Sequence, residues 1–207
     1  MNITAASLMT LQSYSLSRRV HRQQMIRHRR ERSLMLGPCM RLQFEDELTI
    51  RYQIQEVLHA ERPELPDAGA DEIATYAHLV PDGSNWKATL QIELPDAAQR
   101  RRELPQLNEA AHRIFVDVAR HPRVFAFANE DLPDRHRTRP SAVHFLRFQF
   151  PESLRAALLG GATATLGCAH DHYEFRRVIP PASIERLRRD LVLPTHKLDH
   201  AVAERPT

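Results

Sequence analysis

The sequence predicts one α+β domain, built on a mainly antiparallel sheet of about five or six strands with helices packed on it. Three observations lead there. Residues 86–94 alternate, with Trp86, Ala88, Leu90, Ile92 and Leu94 on one face and Lys87, Thr89, Gln91 and Glu93 on the other, the period of a half-buried strand. Residues 141–150 repeat the pattern, placing Ala142, His144, Leu146, Phe148 and Phe150 opposite Val143, Phe145, Arg147 and Gln149. The strands do not alternate one for one with helices, as a parallel βαβ sheet requires, so antiparallel pairing is expected.

The chain has 207 residues, 42% hydrophobic and 27% charged, enough for one sizeable core and too apolar for a disordered protein. No stretch approaches the roughly 20 apolar residues that cross a bilayer. The N-terminus lacks the basic-then-apolar pattern of a secretory leader. Two cysteines, Cys39 and Cys168, make no disulfide framework, so the expected location is the cytoplasm. A homo-oligomer is compatible with this composition.

The net charge of +3 is uneven. Residues 1–41 hold eight Arg and one Glu, a net of +7, which leaves −4 for the rest. Basic character therefore belongs to a segment and not to the domain, against a basic DNA-binding domain. Lys87 and Lys197 are the two lysines of the chain.

Taken in order, residues 6–32 read as an uninterrupted helix with a thin apolar stripe and arginines crowding its second half. Gly37-Pro38 ends this segment. A short strand is expected at 40–44, then Asp46 as a helix cap. Residues 47–61 form a helix with Ile50, Ile54, Val57 and Leu58 on one face and Tyr52, Gln55, Glu56 and His59 opposite. A Pro-rich linker spans 62–67, and a second short helix 70–78. Residues 81–85, Pro-Asp-Gly-Ser-Asn, are a turn leading into the 86–94 strand. A polar helix at 96–111, strands at 113–118 and 123–128, and a charged loop at 129–140 follow. After the 141–150 strand come a helix at 151–159, Gly160-Gly161, a strand at 162–169 and a last helix at 181–192. The organisation expected is a basic helix packed on the domain at 1–36, a core at 37–193 and a flexible tail at 194–207.

Three of these strings, FEDELTIRYQIQE (44–56), PDGSNWKATLQIELPD (81–96) and SAVHFLRFQF (141–150), resemble a bacterial family catalogued as domain of unknown function thirty-five-oh-one. The resemblance extends from about Leu8 to the final helix. It implies an accessory role near peroxide defence or electron transfer, with a rubrerythrin-like di-iron protein or an iron–sulfur oxidoreductase as partner. It also implies that His170 and Tyr173 fit the family pattern, while Cys168 and His172 do not.

The candidate chemistry is sparse. Cys168, His170 and His172 would share a strand face in GCAHDHY. Glu56, His144 and His170 are the metal ligands expected if a site forms, for Fe, Zn or Mn. The Glu-x-x-His pairs Glu56/His59 and Glu109/His112 match chance, and no nucleophile elbow or phosphate loop is present. Asp82 and Asn85, in a turn that keeps the family string, are candidate ligand contacts. Arg147, in a mostly apolar strand, needs a carboxylate or an anionic ligand. A structural ion pair with Glu45, Asp46 or Glu56 is the simpler expectation. Tyr52, Gln53, Gln55 and Glu56 are expected to face the sheet and meet His144 and Arg147 as a network or pocket. Three functions stay open: an accessory binding protein, a metal-dependent enzyme using Glu56, His144 and His170, and an RNA binder acting through residues 18–32.

Overall fold

The computed structural model describes residues 3–61, 68–130 and 140–194. Its strands are β1 (Ser33–Leu36), β2 (Met40–Phe44), β3 (Asn85–Ile92), β4 (Ile114–Val118), β5 (Val124–Phe125), β6 (Phe127–Ala128), β7 (Val143–Gln149), β8 (Ala164–His170) and β9 (Tyr173–Val178). They form two sheets, ordered β1-β2-β3-β7-β6 and β5-β4-β8-β9, with every strand pairing antiparallel. The antiparallel expectation holds; the strands are divided between two sheets where one was expected. The predicted linker 62–67, most of the charged loop and the tail beyond Pro194 lie outside the described residues.

Both sheets feed one core. Trp86, Ala88, Leu90 and Ile92 of β3 and Leu146 and Phe148 of β7 join Ile114, Val116 and Val118 of β4 and Ala164, Leu166 and Cys168 of β8. Helices α5 (Glu152–Leu159) and α6 (Pro181–Arg188) add Leu154, Leu158, Ile184 and Leu187. The Trp86 indole donates to the Leu187 carbonyl at 2.9 Å, fixing α6 to β3. The outer face of β7 carries a smaller cluster, where Phe145 packs with Ile50, Ile54 and Leu58 of α2 (Glu47–Glu61) and Leu79. Asp46 caps α2 as its sequence predicts: its carboxylate accepts the Thr49 amide, and the Thr49 hydroxyl accepts the Asp46 amide, each at 2.9 Å.

Two strands were not visible in the sequence. β1 has four residues, too few to display alternation, and follows an arginine-rich helix directly. β9 has one buried position, Tyr173, so it carries no apolar period. Across the β1–β2 turn, the Tyr173 phenol accepts the Cys39 and Met40 amides at 3.1 and 3.2 Å and donates to Leu36 O at 2.6 Å. Gly37 permits this approach. Its φ is +64°, and a Cβ there would stand 2.6 Å from the phenol oxygen and 2.7 Å from the Phe175 ring.

The basic helix is α1 (Leu11–Glu31), which buries only Tyr14 and Met25. A polar seam attaches it to the domain. Glu56 of α2 accepts from the Tyr14 hydroxyl at 2.5 Å and from Arg18 through two bonds at 2.9 and 2.6 Å. At the other end His28 pairs with Asp46 at 2.7 Å, and the buried Arg32 with Asp190. Helices α3 (Ala68–Tyr76) and α4 (Ala97–Glu103) complete the set, and none of the described helices is long and apolar enough to cross a membrane.

Candidate functional site

The three residues expected as metal ligands occupy three separate settings. Glu56 lies in the α1–α2 seam, its carboxyl held down to about 2 by the Arg18 hydrogen bonds against the opposing effect of burial, with Tyr14 and Tyr52 adding to the lowering. His144 is fully buried on the inner face of β7. There its Nε2 donates to Ser141 O at 2.9 Å and its Nδ1 accepts the Asn129 side-chain amide at 3.1 Å, which leaves neither ring nitrogen for a metal. His170 ends β8 and faces Tyr173 across the two-residue turn Asp171-His172, where its Nδ1 accepts the His172 amide at 3.3 Å. Burial, then the neighbouring His172, lowers its pKa. Among the described residues no group of three His, Cys, Asp or Glu is placed to hold a metal ion. The strand face expected for Cys168, His170 and His172 is also not formed. His172 belongs to the turn, and Cys168 points into the core, where burial pushes its thiol up to about 11.

The polar stripe of α2 turns away from the sheet, contrary to expectation. The apolar Ile50, Ile54 and Leu58 take the side facing β7, so the polar side meets the arginine-rich α1 instead. Tyr52 lies under the Arg29 guanidinium at 5.5 Å, Gln55 accepts the Met9 amide at 2.5 Å, and Gln53 is half-buried on the same helix. Arg147 finds Glu130 and not Glu45, Asp46 or Glu56, in a forked pair at 2.7 and 2.6 Å, and its guanidinium stacks 4.5 Å from the Phe127 ring.

Asp82, Asn85 and Arg147 do come together. Along the outer face of β3 and β7, Asp82 accepts the Ser84 amide and hydroxyl at 2.8 and 2.6 Å. Gln149 donates to the same hydroxyl at 2.7 Å and accepts from Arg147 at 2.8 Å and from Asn85 at 3.4 Å. Opposite Arg147 in the strand register stands Lys87. Its amine donates to the His78 carbonyl and lines two adjoining clefts. The larger, of about 860 Å³, lies between the start of α2, residues 77–83 and residues 189–192. The 81–85 turn is bound to its far wall: Val192 donates its amide to Gly83 O at 2.8 Å, and a Cβ on Gly83, at φ +94°, would be 2.5 Å from the Val192 side chain.

Two carboxylates of this cleft, Asp46 and Asp190, share the Arg32 guanidinium, which is 3% exposed and also donates to the Phe44 and Glu45 carbonyls. Burial raises Asp190 to about 6 despite Arg32. Burial also pushes Asp46 upward, but His28, Arg32 and the Thr49 amide outweigh it and leave that carboxyl below its ordinary value. Sequence reasoning missed Lys87, Glu130 and Asp190 because their partners are distant in the chain. Lys87 had one available signal, as one of two lysines among 29 basic residues.

The second surface of note is the outward face of α1. Leu16, Val20 and Ile26 are 84, 56 and 59% exposed. Arg19, Arg22, Arg27 and Arg30 are exposed between them and form no ion pair with any described residue.

Comparisons with known proteins agree with this architecture. The chain is similar to a protein from Burkholderia pseudomallei whose crystal structure is described as that of a novel protein of unknown function. Identity is 42%, with 93% of this chain and 100% of that one covered, at a TM-score of 0.89. None of the curated proteins matches. A family model described as "Protein of unknown function (DUF3501)" matches residues 2–191, and the chain belongs to that family.

Proposed function

We propose that this protein is a non-catalytic accessory protein that docks an acidic surface of a protein partner through the outward face of α1. The observation that carries the reading is the mixture on that face. Leu16 and Val20 stand one turn apart, Arg27 continues their line about two turns on, and Arg22 and Arg30 lie one turn to either side of Ile26, with Arg19 about two turns before it on the same line. Unpaired arginines steer and orient an acidic partner, and large apolar side chains left in water gain from being covered. Nucleic-acid phosphates would use the arginines and leave Leu16, Val20 and Ile26 without a counterpart, so a protein surface fits better than RNA. The partner class implied by the family resemblance is a rubrerythrin-like di-iron protein or an iron–sulfur oxidoreductase, and the setting proposed for the accessory role is a redox or peroxide-stress pathway.

The test is titration calorimetry between this protein and a purified rubrerythrin-like or iron–sulfur protein of the same organism. Arg27→Glu with Arg30→Glu should weaken binding at least ten-fold, and so should Ile26→Ser, with melting temperatures unchanged. Affinity indifferent to both variants would overturn the reading. So would arginine-dependent binding to single-stranded RNA that ignores Ile26→Ser.

A further inference from the structure

The cleft lined by Lys87 is uneven in how its charged groups are paired. Its wall carries the carboxylates Asp46, Glu47, Asp82 and Asp190 and the cations Arg51, Lys87 and Arg189. Each carboxylate has a partner within the protein: Asp46 the His28 ring and the Thr49 amide, Glu47 the Arg51 guanidinium through one of its oxygens (the other, Oε2, is buried without a partner), Asp82 the Ser84 amide and hydroxyl, and Asp190 the Arg32 guanidinium. Lys87 and Arg189 form no ion pair with any described residue. The Lys87 amine donates to one carbonyl, that of His78, and an ammonium has three donors to place. The charged groups that the cleft leaves without a counterpart are therefore the two cations, although its formal charges nearly cancel. The remaining wall is made by His78, Gly83 and the apolar Leu48, Ala77, Val80, Pro81 and Val192, and Leu48 and Val192 are 49 and 58% exposed.

We propose that this cleft binds a small organic anion, a carboxylate on an apolar body, with the carboxylate between the Lys87 amine and the Arg189 guanidinium and the body against Leu48, Val80 and Val192. Lysine and arginine at one end with the aliphatic Leu48, Val80 and Val192 beyond them give a fixed charged contact beside an apolar one, the two kinds of contact that orient a small ligand. The position of Lys87 is set by the rigid part of the fold. It lies in the middle of β3, between β2 and β7, and the Gly83–Leu191 bridge holds the opposite wall. Burial lowers the pKa of Lys87, with Arg147 adding to the lowering and Asp82 and Glu130 opposing it. A bound carboxylate would relieve that burial cost. This site is independent of the docking face on α1.

Pyridoxal 5′-phosphate is a suitable probe, because it joins an anionic group to an amine-reactive aldehyde on an apolar ring. The amine adds to the aldehyde and loses water to give an imine, and borohydride then supplies the hydride that reduces it to a stable secondary amine. With two lysines in the chain, peptide mass spectrometry reads the labelled position directly. The expected result is labelling at Lys87 that falls at least five-fold in Arg189→Ala, with labelling at Lys197 unchanged as the internal reference. Benzoate should protect Lys87 saturably, beyond the effect of chloride at equal ionic strength. Arg189 is exposed, so the variant is expected to keep the wild-type melting temperature. Lys87 labelling that is indifferent to Arg189→Ala, or protected no better by benzoate than by chloride, would overturn the proposal.

Discussion

Tyr173 satisfies a turn that its own neighbours in the sequence do not form. Its hydroxyl takes two amides and one carbonyl of the β1–β2 connection, and burial, the largest influence on it, pushes the phenol up. Replacing Tyr173 with Phe keeps the ring in the core and removes all three bonds at once. Three backbone groups would lose their partner where water enters poorly, which costs about 1–3 kcal/mol. The urea midpoint should fall accordingly, and an unchanged midpoint would mean that water replaces the phenol. Similarity of the segment to a family string marked Tyr173, but no local pattern announced its partners. Arg147 is the converse case. A guanidinium in an apolar strand had to have an anion, and that much was legible, whereas Glu130 as the partner depended on β6 lying beside β7.

At the scale of elements, α1 is held more by charge than by apolar contact. Tyr14 and Met25 are its buried residues, so Glu56, linked to both Tyr14 and Arg18, carries much of the seam. Glu56→Gln should destabilise the protein by about 1–2 kcal/mol, discounted for the partial exposure of Arg18. Hydrogen exchange should speed up in α1 before it does in the sheets. The pH dependence follows from the direction of the shift. A carboxyl lowered from 4.5 to about 2 in the folded state contributes stability that is fully present above 4.5 and is lost as pH falls through that interval. The wild type should therefore lose stability more steeply than Glu56→Gln between pH 4.5 and 2. Parallel profiles would show that the seam does not depend on the ionised carboxylate.

Across the whole molecule, residues of the two sheets join in one apolar core to which α5 and α6 also contribute. They should unfold together. Trp86, the single tryptophan, is fully buried in the five-stranded sheet and bonded to α6, so its fluorescence reports that side of the core. Far-UV circular dichroism reports all elements. The two signals should give one urea midpoint, and separate midpoints would mean that the sheets unfold independently.

The sequence by itself determined the fold class, the helix cap at Asp46, the strand faces of 86–94 and 141–150 and the basic character of the first helix. Each of these depends on local periodicity or local turn chemistry, which neighbouring residues carry among themselves. The division of the nine described strands between two sheets, the strands Ser33–Leu36 and Tyr173–Val178 and the turn of the α2 polar stripe toward α1 were decided only in three dimensions. So were the separation of Glu56, His144 and His170 and the convergence of Lys87, Asp82 and Arg147 on one surface. Side chains distant in the chain meet according to which apolar faces are buried first, and that competition leaves no mark at any single position of the sequence.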